Sequence, residues 1–127
     1  MARLENILPP LELCKQIPDG AFEDSALVWI TDFSGGERIA EPRRYAPYDH
    51  IAAPAPTLVE IMCEIAKYPH YFNNAWLEVD GDGFIAGAWL PNRGKPGAHF
   101  TEYRDRNPAT AALKLWLELT GVDEHGR

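Results

Sequence analysis

Two short stretches combine cationic and aromatic side chains closely enough to hold a ligand. Arg43-Arg44-Tyr45 is followed by Tyr48 and His50, and Tyr68-Pro69-His70-Tyr71-Phe72 follows a predicted helix. Guanidinium groups pair with phosphate and aromatic faces stack on bases. Arg43, Arg44, Tyr45, Tyr48, His50, Tyr68, His70 and Tyr71 are therefore the candidate contacts for a small nucleotide-like anion or for a partner protein. The same residues also have a purely architectural reading, in which the aromatics cover the end of that helix and the arginines offset an acidic surface.

The remaining motifs stop short of a recognised chemistry. Glu78-Val79-Asp80-Gly81-Asp82-Gly83 puts oxygens at the first, third and fifth positions of a calcium loop and glycine at the sixth. The twelfth position is Trp89, where a bidentate glutamate is needed, and strand patterns flank the loop, so Asp-Gly here predicts a hairpin turn. Ser34-Gly35-Gly36-Glu37-Arg38 and Arg93-Gly94-Lys95-Pro96-Gly97 offer mobile backbone beside cations, as a phosphate cradle would, yet neither has P-loop spacing and both read as turns. His50, His70, His99 and His125 lack metal-site spacing, so neither a metal nor any other cofactor is expected. An enzymatic alternative is a small hydrolase or transferase using His50 or His99 with Asp49, Glu102 or Asp105. Ser25 and Ser34 sit in no nucleophile elbow.

The chain has 127 residues, with 12 Lys+Arg against 19 Asp+Glu and a net charge of −7. That balance excludes a non-specific nucleic-acid binder or a binder of anionic membranes, both of which need clustered positive charge. No apolar run is long enough to predict a secretory leader or a membrane span, which points to a cytoplasmic protein. Cys14 and Cys63 form no CxxC pair and read as reduced thiols, with a disulfide between them as the alternative.

Patterning predicts an α+β domain with a mainly antiparallel sheet of three to five strands. The sheet packs with two main helices, 57–68 and 108–120, and a short N-terminal helix within Leu11–Ile17. Thr57 and Glu60 form a capping box ahead of the apolar stripe Leu58, Ile61, Met62 and Ile65, and Pro69 ends the pattern. Asn107-Pro108 opens the last helix and Gly121 closes it. Strands are expected over Ala26–Thr31 and more weakly over Glu37–Ala40. A meander follows at Asn74–Val79, Phe84–Leu90 and Ala98–Arg104, where Ala75, Leu77 and Val79 alternate with Trp76, Glu78 and Asp80. The chain thus divides into an N-terminal arm (1–40), a connector (41–56) rich in proline, and an α-β-β-β-α body (57–121).

Ala53-Pro54-Ala55-Pro56-Thr57-Leu58 opening a helix, the three strands, and Asn107-Pro108-Ala109-Thr110-Ala111-Ala112-Leu113-Lys114-Leu115-Trp116 resemble small phage and prophage α/β domains with an ABA-sandwich-like layout. The resemblance covers about seventy C-terminal residues and rests on capping and packing signals. It implies a phage-encoded accessory protein in a bacterial cytoplasm and transfers no catalytic residue. The resulting expectation is a non-enzymatic binding module for a host or phage protein or a small anionic ligand. A phage structural or assembly protein is a further alternative.

Overall fold

Alternating strands and tight turns organise this chain around two small sheets, and the helices close over them. The structure, a computed structural model, describes residues 7–32, 34–42, 50–67, 75–92 and 94–121. The elements run α1 (Leu11–Cys14), β1 (Val28–Thr31), β2 (Glu37–Ala40), β3 (His50–Pro54), α2 (Leu58–Ile65), β4 (Trp76–Asp80), β5 (Gly83–Pro91), β6 (Ala98–Asp105) and α3 (Pro108–Thr120). This is the expected α+β class, with the strands divided into two antiparallel three-stranded sheets ordered β2-β1-β3 and β4-β5-β6.

Within the segment 41–56, read from the sequence as a connector, the first sheet has a strand. His50–Pro54 pairs with β1, with a bulge between Trp29 and Ile30. Prolines obscured this strand in the sequence, but β3 lies at a sheet edge, where a missing N–H breaks no ladder. Across the sheet, the β1–β2 turn is tied by Asp32, whose Oδ1 accepts from the Ser34 hydroxyl and from the Ser34 and Gly36 N–H groups. Those bonds hold its carboxyl below the usual range, the Ser34 hydroxyl contributing most and the Gly36 N–H next. The backbone donors that resembled a phosphate cradle therefore already serve an internal carboxylate. Because the folded pKa is depressed, this contribution to stability is present above the ordinary aspartate range and is lost as pH falls through the folded value.

The helices follow their caps. The Thr57 side chain accepts from Glu60 N, and Glu60 Oε1 accepts from Thr57 N at 2.8 Å, completing the capping box. Glu60 also takes the Ala26 N–H on Oε2 and lies within reach of the Ser25 hydroxyl, so the cap of α2 doubles as an anchor for the chain entering β1. The helix ends at Ile65, short of the expected 68, with Ala66 as its C-cap. α3 occupies 108–120 as expected. Asn107 Oδ1 caps Ala109 N and Thr110 N, its Nδ2 donates to Leu8 O at 2.7 Å, and Gly121 takes the left-handed conformation that ends the helix.

Both sheets contribute to one core. Trp29 and Ala53 from the first sheet share it with Ala86, Ala88 and Leu90 of β5, Ile61 and Ile65 of α2, and the apolar surface of α3. α3 packs on β5, β6 and α2, consistent with its breadth of buried residues. Two core tryptophans differ in how their N–H is used. Trp29 donates to Pro9 O at 3.1 Å, whereas Trp116, 4 % exposed, has no acceptor for Nε1 among the described residues. Trp116→Phe is therefore expected to cost under about 1 kcal/mol, since lost ring area is offset by removing a buried unpaired donor worth about 1–3 kcal/mol. Trp29→Phe has no such offset and is expected to cost about 2 kcal/mol. Urea unfolding of the two variants measures the difference, and equal losses would contradict it.

Candidate functional site

The site begins with strand alternation in the second sheet. In β5, Ala86, Ala88 and Leu90 face the core, so Ile85, Gly87 and Trp89 face outward. Register aligns Trp76 of β4, Gly87 of β5 and Glu102 of β6 in one row, and Glu78, Ile85 and Arg104 in the next. Trp89 lies opposite Phe100. The outward face of β4-β5-β6 therefore carries three aromatic rings, opposite the face that holds α3.

Their arrangement depends on a glycine. A Cβ at Gly87 would lie 2.8 Å from Trp76 Cζ2 and 3.3 Å from Thr101 O, so the Trp76 indole lies across the bare central strand. From there it meets Phe100 at a centroid distance of 5.3 Å and an interplanar angle of 31°. Trp89 meets the same ring at 5.6 Å and 69°, an edge-to-face contact. Trp89 remains 44 % exposed and Phe100 42 % exposed. Towards the β4–β5 turn, Arg104 pairs with Asp80 and, at 3.7 Å, with Glu102, while Glu78 is exposed.

That turn is the hairpin expected from Asp-Gly. Asp80 pairs with Gly83 across a two-residue turn, and Gly81 takes a positive φ of 62°. Its two carboxylates face cations of the chain itself, Asp80 with Arg104 and Asp82 with Arg106 at 3.5 Å. No group of three metal-capable side chains lies among the described residues.

Two hollows, of about 440 and 400 Å³, share the segment 20–23 in their linings, the first together with residues of β3 and the second with residues of α2. Phe22 in that segment takes φ 57°, a conformation costing roughly 1–2 kcal/mol for such a residue, and its ring stands edge-on against Trp116 at 4.9 Å. The first hollow reaches Cys14 and the second Cys63; both are free thiols, Cys14 buried and Cys63 exposed. Burial pushes the Cys14 thiol up to about 12, partly opposed by a hydrogen bond with Trp29, so it is a poor nucleophile. In the second hollow Glu60 is occupied by the α2 cap and Lys67 pairs with Glu64. A thiol reagent is expected to modify Cys63 in the native protein and Cys14 only after unfolding. Because the Cys14 pKa is raised in the folded state, its contribution to stability is intact below about 9 and is lost as pH rises towards about 12. Alkaline unfolding of wild type and Cys14→Ala reads that loss directly, and identical profiles would contradict it.

Of the residues expected to contact a ligand, His50 is described: it opens β3, is exposed, and pairs with Thr31. Arg43, Arg44, Tyr45, Tyr48, Tyr68, His70 and Tyr71 lie outside the described residues, as does Asp49. Three residues of the enzymatic alternative, His99, Glu102 and Asp105, have partners of their own. His99 Nδ1 is 2.9 Å from Asn92 Oδ1, Glu102 pairs with Arg104, and Asp105 accepts from Asn107 N and pairs with Lys114. His50 and His99 lie in different sheets. The aromatic face itself was not among the expected sites. Its available signal was the alternation that sets Trp76, Glu78 and Asp80 opposite Leu77, because a tryptophan on the polar side of a strand is a ring facing water.

No helix among the described residues is long and apolar enough to cross a membrane. No protein family, no curated protein and no solved structure matches the chain.

Proposed function

We propose that this chain is a non-enzymatic binding module of the phage accessory type, acting in a bacterial cytoplasm and engaging a partner protein through the outward face of β4-β5-β6. The observation that carries this reading is the Trp76–Phe100–Trp89 cluster, held on a rigid sheet with two of its rings more than two-fifths exposed. Exposed aromatics of this size are costly to leave in water and are typical anchors of protein interfaces. Strand placement fixes the rings in advance, so little side-chain entropy is lost on binding. In the second hollow the Ser25 hydroxyl meets Glu60, but that carboxylate is taken up by the Thr57 and Ala26 N–H groups of the α2 cap and the β1 entry, which favours binding over catalysis.

The test is a selection from a random peptide library on the immobilised chain, run in parallel on a Trp89→Ser, Phe100→Ser double variant. Peptides that bind wild type but not the double variant are expected. Equal enrichment on both proteins, or none on either, would overturn the reading.

A further inference from the structure

We propose that the segment docking on this face is basic, an extended stretch of the partner protein bearing arginine or lysine side chains. This rests on the binding reading above and adds the chemistry of the partner. Among the described residues of β4, β5 and β6, Glu78, Asp80 and Glu102 share the outward face with the rings, against one guanidinium, that of Arg104, which already pairs with Asp80 and Glu102. Glu102 stands in the row of Trp76 and Gly87, and Glu78 is one row further towards the hairpin tip. A cation over the face of an exposed indole gains from the ring quadrupole, and a carboxylate beside it adds a charge-assisted hydrogen bond.

The face is also polarised. The β5–β6 turn beyond Trp89 and Phe100 carries exposed Lys95, so the negative groups lie on the hairpin-tip side of the rings. Basic side chains should therefore seat over the rows of Glu78 and Glu102. The same charges oppose a second copy of the chain as occupant. Two outward faces packed together would set carboxylates against carboxylates, in molecules that each carry a net charge of −7.

The experiment is fluorescence anisotropy with two labelled extended peptides that share their aromatic and aliphatic positions and differ in carrying arginine or glutamate at the others. The arginine peptide is expected to bind at least about 10-fold more tightly, with the ratio shrinking as salt rises from about 50 to about 300 mM. Glu78→Lys should weaken it by about 10-fold and Lys95→Glu should strengthen it. Equal binding of the two peptides, or no effect of Glu78→Lys, would overturn the basic partner. It would leave the aromatic face intact if Trp89→Ser with Phe100→Ser still abolishes binding of library-selected peptides. Binding of neither peptide would overturn the inference. A dimer in light scattering that the double serine variant dissociates would make the occupant a second copy and would also overturn it.

Discussion

Replacing Trp89 and Phe100 together with serine is expected to weaken a library-selected peptide by about 100-fold, as for two central aromatic anchors worth about 1.4 kcal/mol each. The fold should survive. Both rings lie on the face away from α3, so their loss removes the Trp89–Phe100 and Trp76–Phe100 contacts and partial burial, about 2 kcal/mol, and leaves the core residues of β5 in place. Isothermal titration gives the affinity and thermal unfolding the stability. Parallel collapse of both would mean that the rings are architectural, and retained affinity would place the binding surface elsewhere. Gly87 supports the same surface from below: its missing side chain is what lets the Trp76 indole lie over the central strand.

The largest stability effect is expected at the opposite face of the sheet. Leu113 is fully buried on α3, the helix that joins β5 and β6 to α2. Leu113→Ala removes packing atoms and leaves a void that a rigid sheet on one side and a helix on the other cannot fully close, which costs about 3 kcal/mol. For a domain with total stability of about 5–15 kcal/mol this is a large fraction. Val59→Ala on α2 is the control: Val59 is 71 % exposed, and the change should stay within about 0.5 kcal/mol. Urea unfolding that gave both variants the same midpoint would contradict the placement of α3.

What the sequence revealed was what local chemistry decides. Thr57 with Glu60 and Asn107 with Gly121 mark helix ends through bonds spanning at most a few residues, and both helices begin where those residues put them. Asp80-Gly81-Asp82-Gly83 specifies its turn in the same way. β3 was hidden because Pro54 reads as a strand breaker, and the rule relaxes only at a sheet edge, a fact of tertiary pairing. The division into two sheets is equally non-local, since it is set by which strands pair, between residues far apart in the chain.

The aromatic face shows the same boundary. Trp76 was placed on the polar side of its strand by alternation alone. Trp89 was concealed within the apolar run 84–90, and its pairing with Phe100 depends on a register fixed by the β5–β6 turn. The arginine and tyrosine stretches that drew attention by composition, 43–48 and 68–71, fall outside the described residues, so only His50 of that set has a position in the fold.

The four tryptophans give the most direct measurement. Trp29 and Trp116 lie in the core, and Trp76 and Trp89 lie on the outward face. In a ¹H–¹⁵N spectrum of the indole N–H groups, assigned with Trp76→Phe and Trp89→Phe, a library-selected peptide is predicted to shift the Trp76 and Trp89 signals and leave those of Trp29 and Trp116 in place. Movement confined to the core tryptophans Trp29 and Trp116 would contradict docking on the aromatic sheet.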